Sequence, residues 1–167
     1  RMRTSRRSAS SMIWVTPSGP PTKRDRRSPV RRMTNRRGIE LFKEGQYAEA
    51  QQQMESALKL DRNNAWVYYN LALIYFEQKN WQLALDNFQA AIDSTSSKPT
   101  WIDAWAHIKR GNAYDAKGDR NKAVFEYNKA LQTGSNYDTA QAAAKKFIET
   151  PFDPKTPAET VQAAPGS

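Results

Sequence analysis

The chain has 167 residues, room for one modest domain, and an apolar share of 38%, below the ~45–50% of an ordinary globular chain. It has no cysteine and one histidine, His107, which excludes disulfide frameworks, thiolate metal sites and multi-histidine zinc centres. The net charge of +9 sits in residues 1–32, with nine arginines, one lysine and one aspartate, while residues 33–167 balance at 16 basic and 16 acidic.

Residues 1–32 read as a basic disordered tail, rich in Arg, Ser and Pro and without helical or strand period. Its longest apolar run, Met12 to Val15, is too short for a secretion signal, and no run in the chain approaches the ~18 residues of a membrane span. Three readings of the tail stand side by side. It is an electrostatic arm for nucleic acid or an anionic membrane, whose binding would fall steeply with salt. It is an organelle-targeting segment, Arg- and Ser-rich and poor in acids. Or translation starts at Met33, where charge and texture change abruptly.

From Thr34 apolar residues recur at steps of three and four, the period of amphipathic helices. The pattern predicts helix pairs at about 35–45 and 47–60, 65–78 and 81–94, then 99–117 and 120–133. An insertion in STSSKPTWIDAW lengthens the fifth helix by more than a turn, with Ser97 as its cap and Pro99 in its first turn. Residues 136–149 read as a closing helix with Ala140, Ala143, Ala144, Phe147 and Ile148 inward. Pro151 stops it, and residues 150–167 read as a disordered, proline-rich tail.

The middle of the chain repeats itself. Gly45, Lys79 and Gly118 occupy one equivalent position; Ala50, Ala84 and Ala123 follow five residues later, and Ala57, Ala91 and Ala130 seven after that. The steps are 34 and 39 residues, a 34-residue period with five residues inserted. Repeat two reads Tyr68-x2-Leu71-Ala72-x2-Tyr75, then Ala84-x3-Phe88. Repeat three reads His107-x2-Arg110-Gly111-x2-Tyr114, then Ala123-x3-Tyr127. Repeat one is weaker, with Thr34-x2-Arg37-Gly38-x2-Leu41, then Ala50-x3-Met54.

This spacing resembles the tetratricopeptide repeat (TPR). The resemblance implies an all-α, right-handed α-solenoid of three helix pairs plus a C-terminal capping helix. The domain would cover 33–149, with repeats at about 31–64, 65–98 and 104–134 and the cap at about 136–149. Gly38, Ala72 and Gly111 would let the paired helices approach. Arg37 and Arg110 stand where the family has leucine; each is expected to lay its stem on apolar surface with its head in water.

The residues do not point to catalysis, a cofactor or a metal. His107 has Asp103 and Gly111 one turn away, a carboxylate and no nucleophile. The aspartates lack the alternation of a calcium loop. GNAYDAKG follows a helix and ends in no Lys-Ser/Thr pair, unlike a phosphate-binding loop. The chain is therefore expected to be non-enzymatic, a protein-interaction module or small scaffold subunit. The resemblance implies a concave groove for a peptide or helix, with Trp66, Tyr69, Asn70, Phe76, Trp105, Lys109 and Asn112 as its contact residues. Nucleic-acid or anionic-surface binding through the Arg-rich tail is the alternative. Homo-oligomerisation or docking in a larger assembly remains open, and a soluble intracellular location is expected, with organelle import if the tail is a targeting segment. Family members that bind chaperones clamp a C-terminal carboxylate. The clamp positions here hold Asn35, Ile39, Asn70, Trp105 and Lys109, of which Asn70 matches and Lys109 is a partial substitute. Peptides ending in the chaperone acidic motif should therefore not bind tightly, and low-micromolar, carboxylate-dependent binding in a titration would overturn that expectation.

Overall fold

The computed structural model describes residues 29–155 apart from Ser97. Residues 1–28 and 156–167, and with them most of both expected tails and the Ser97 cap, lie outside the described residues. The described residues form seven α-helices and no strand: α1 (Pro29–Lys43), α2 (Tyr47–Leu60), α3 (Ala65–Glu77), α4 (Trp81–Asp93), α5 (Thr100–Ala116), α6 (Arg120–Gln132) and α7 (Ala140–Glu149), with a 3-10 turn at Tyr137–Thr139. Helices α2 to α6 lie within a residue or so of the expected spans. Two starts differ. Helix α1 begins at Pro29 rather than near 35, with proline in the first helical position, where its missing N–H would have no partner anyway. Helix α7 begins at Ala140, because Tyr137–Thr139 takes the tighter 3-10 geometry first.

The helices pack as antiparallel pairs, α1 with α2, α3 with α4 and α5 with α6, stacked through α2 on α3, α4 on α5 and α6 on α7. Each pair turns in the same way. Gly45, Lys79 and Gly118 all have positive φ. After each, a backbone N–H reaches back five residues: Gln46 to the Leu41 carbonyl, Asn80 to Tyr75 and Asp119 to Tyr114, each at 2.9 Å. This closes the free carbonyls at the helix end around a left-handed residue, which glycine adopts without strain and lysine does not. Lys79→Gly should therefore stabilise the fold by about 1 kcal/mol, raising the melting temperature by a few degrees; an unchanged or lower value would contradict this account of the turn.

The repeated alanines, Ala50, Ala84 and Ala123 with Ala57, Ala91 and Ala130, are all buried at the helix contacts. Gly111 lies under the ring of Tyr127, and Gly38 beside the end of Met54. The α4–α5 connection is clasped to the α2–α3 loop by Asn63, whose side chain bonds Thr95 Oγ1 (2.6 Å), Thr95 N (3.2 Å) and Ser94 Oγ (3.0 Å). Lys98 donates to the carbonyls of Ala91 and Ile92 at the end of α4 and pairs with Asp103 of α5 at 2.8 Å. A cation on the negative end of a helix is favourable, so this one side chain joins repeat two to repeat three.

The expectation for Arg110 is corrected. Its head is not in water: it pairs with Glu126 Oε1 of α6 at 3.0 Å and donates to Gln89 Oε1 of α4. Glu126 also bonds His107 Nδ1 at 2.8 Å, so His107 has as its partner a carboxylate from the facing helix rather than from its own. The arginine sits in a leucine position because α6 supplies a buried carboxylate opposite it.

Candidate functional site

Helices α1, α3 and α5 adjoin one another and form one face of the stack, and α7 continues it beyond α5. The two ends of this face differ in chemistry. Near the starts of α3 and α5 it is an aromatic cluster. Trp101 stands edge-on to Trp66 (5.0 Å between centroids) and to Tyr69 (5.7 Å), and Tyr137 lies 5.5 Å away on its other side. Trp105 donates its indole N–H to the Tyr137 carbonyl at 3.1 Å. Trp101 is supplied by the inserted residues, one turn ahead of Trp105 on the same helix. That i, i+4 spacing was the available signal for it.

Near the ends of α3 and α5 the face is polar. The Lys109 ammonium lies 5.4 Å over the Phe76 ring, close to Glu77. Burial is the main cause that lowers the Lys109 pKa from its ordinary value, with Glu77 opposing; burial likewise raises that of Glu77, with Lys109 opposing. Asn70, 4% exposed, holds a position equivalent to Lys109 one repeat earlier, and its Nδ2 donates to nothing. Lys109, one repeat later, has the Phe76 ring and the Glu77 charge as its neighbours.

Beyond Lys109, the Asp115 carboxylate, its side chain only 2% exposed, is held from several sides. Arg120 reaches both its oxygens (3.1 and 3.0 Å), and the one Tyr127 Oη proton is shared between Oδ2 at 2.8 Å and Asn112 Oδ1 at 2.9 Å. Burial first, then Asp115, pushes the Tyr127 hydroxyl far above its usual pKa, so it remains a donor at any ordinary pH. Oδ2 also accepts from the backbone N–H of Phe152 at 2.9 Å. The reading of residues 150–167 as a loose end therefore does not hold at Phe152: its ring lies 5.8 Å from that of Phe76 and 6.0 Å from that of Phe147.

Of the seven expected contact residues, Tyr69, Asn70, Phe76, Trp105 and Asn112 are buried, while Trp66 and Lys109 are part-exposed. Tyr69 is enclosed by Phe88 and Trp101, and Asn112 is engaged by Tyr127. All seven lie on α3 and α5, and the sequence pattern does not show that the chain's own Trp101, Tyr137 and Phe152 cover several of them.

Family models for the tetratricopeptide repeat match residues 63–133 and, as TPR repeat, residues 38–79, together more than half of the chain. The chain belongs to the tetratricopeptide repeat family. As a TPR it is similar to the photosystem I assembly protein Ycf3 of Prochlorococcus marinus (strain MIT 9303), with 31% identity over 100 residues, 57% of this chain and 58% of that one. The same protein of Synechococcus sp. (strain WH7803) is 29% identical over 102 residues, 58% of this chain and 59% of that one. The chain thus spans under two thirds of these relatives. Among solved structures it resembles the N-terminal domain of stress-induced protein-1 (STI-1) from C. elegans, with TM-score 0.61, 22% identity, and 73% of this chain and 98% of that one covered. It also resembles the first TPR of Spaghetti (RPAP3), a structure bound to an HSP90 peptide, with TM-score 0.61, 23% identity, and coverage of 73% and 93%. At that identity the likeness concerns the fold. Of the clamp positions, Ile39 and Trp105 are buried here, and the Trp105 indole N–H is already engaged by Tyr137.

Among the described residues no group of three or more His, Asp or Glu side chains is placed to hold a metal ion, and no helix is long and apolar enough to cross a membrane.

Proposed function

We propose that this TPR is a non-enzymatic assembly factor whose inner face holds an extended segment or helix of a partner protein. The observation that carries the reading is the buried Asn70 Nδ2, which has no acceptor, on the same face as the Lys109 ammonium, whose charge its surroundings disfavour. A buried amide without an acceptor and a cation disfavoured by its burial are both destabilising in the free protein. Such groups suit a face that receives acceptors from outside, here the carbonyls or carboxylates of a partner. The curated relatives are named as assembly proteins, which supports assembly as the setting.

The test is substitution of Lys109 by Met. The free protein should melt a few degrees higher at neutral pH, because burial disfavours the charge that Met removes. A lysine whose folded pKa is lowered weakens the fold below that pKa, and the penalty vanishes above the unfolded value near 10.5. The gain should therefore shrink as pH approaches that value. The same variant should lose most of the protein that the tagged wild-type chain retains in stoichiometric amount. Full retention by Lys109→Met, with its fold intact, would reject the reading.

The placement of the whole net charge of +9 in residues 1–32 supports a second reading, binding of nucleic acid or an anionic surface through that segment. Capture through it would fall steeply from low to moderate salt and would be indifferent to Lys109→Met.

A further inference from the structure

The inner face already holds an occupant. Phe152 lies between Pro151 and Pro154, which have no N–H and so neither prolong α7 nor pair as a strand. The backbone leaves α7 in an extended conformation at Thr150. Phe152 then makes one hydrogen bond, to Asp115 Oδ2, and two ring contacts, with Phe76 and Phe147. The receiving carboxylate does not depend on it, since Arg120 and Tyr127 fix both oxygens of Asp115 independently. The Phe152 side chain stays half-buried, unlike a residue that completes a core. The recess also adjoins Lys109, because the Phe76 ring under Phe152 is the ring under the Lys109 ammonium.

We infer that the recess of Phe76, Asp115 and Phe147 is a subsite for an aromatic side chain on an extended partner segment, and that Phe152 fills it until such a segment displaces it. The occupant defines the chemistry: an aromatic ring on the residue whose own backbone N–H is free to meet Asp115, with acceptors nearby for Lys109. Only the identity of the displacing segment rests on the proposed assembly role; the subsite and its internal occupant do not.

Two measurements on the full chain test this without a partner protein. The first is hydrogen exchange. The Phe152 amide should exchange at least a hundredfold faster than that of Ala113 inside α5, because the latch opens without unfolding. Exchange of both at one rate, that of global unfolding, would make the segment a fixed strap and overturn the proposal. The second is an NMR titration of the Phe152→Ala chain with the peptide ETPFDPK, residues 149–155. Shifts around Phe76, Asp115 and Phe147 at millimolar peptide are expected. They should be at least fivefold weaker on the wild-type chain and absent with ETPADPK. No shifts on a folded Phe152→Ala chain, or equal shifts on the wild type, would overturn it. If the titration succeeds while Lys109→Met keeps its captured protein, the assembly reading fails and the subsite stands.

Discussion

Gly111→Ala should destabilise the protein by about 2–4 kcal/mol, although alanine is the better helix former by about 1 kcal/mol. A Cβ at position 111 would lie 2.3 Å from Cε1 of Tyr127 and 2.6 and 2.7 Å from two further ring atoms. The ring has no easy retreat. Its hydroxyl is bonded to Asn112 and Asp115, and its other face stacks on Phe147 at 5.6 Å. Moving it would break hydrogen bonds to a buried carboxylate as well as crowd the α5–α6 contact, and each effect is worth on the order of 1–3 kcal/mol. Gly38→Ala is the matched control. There the near atom, at 2.7 Å, is the terminal methyl of Met54, and an unbranched side chain with three rotatable bonds gives way cheaply. Thermal or urea unfolding should show a large loss for Gly111→Ala and a change within about 1 kcal/mol for Gly38→Ala. Equal effects would mean that Tyr127 is not the obstacle.

The second large effect lies in the same helix pair. Glu126→Ala should cost about 3–5 kcal/mol, because it leaves the Arg110 guanidinium in the α4–α5–α6 contact with only a Gln89 carbonyl for company. Arg110→Leu alone should also be harmful, since Glu126 would keep only His107. The double replacement Arg110→Leu/Glu126→Leu restores the leucine usual in the family and removes both charges, and well-packed apolar substitutes for buried ion pairs are often neutral or better. It should therefore recover most of either loss. A double variant as weak as the sum of the single ones would show that the pair is not coupled.

The helix pattern was legible because it depends on residue type at fixed spacing. Gly45, Lys79 and Gly118 stand at one equivalent position of the repeat, and the small residues at fixed steps mark the close helix contacts. What stayed hidden was pairing across elements. Nothing within α5 reveals that Glu126, nineteen residues after His107, is its partner, so Arg110 read as a surface cation lying over apolar groups. Trp101 belongs to the inserted residues, outside the repeat register that assigns the inner face. Phe152 stays hidden because proline-rich composition reads as loose chain, and its one hydrogen bond comes from a backbone N–H, a group every residue but proline carries. The repeat register assigns Trp66, Tyr69, Asn70, Phe76, Trp105, Lys109 and Asn112 to α3 and α5, where they lie. Their burial by Trp101, Tyr137 and Phe152 could not be read from a pattern that treats each repeat alone.

The junction at Asn63 and Lys98 bears on how this array could have grown. A solenoid with a uniform step tolerates duplication or loss of a unit anywhere, since every interface is interchangeable. Here Asn63, at the end of repeat one, is bonded to Thr95 at the end of repeat two, and Lys98 and Trp101 tie repeat two to the helix that follows. A unit spliced between repeats one and two would separate Asn63 from Thr95. One spliced between repeats two and three would take Trp101 away from Trp66 and Tyr69. Gain or loss of a unit at either junction therefore breaks side-chain contacts that a uniform array would not have.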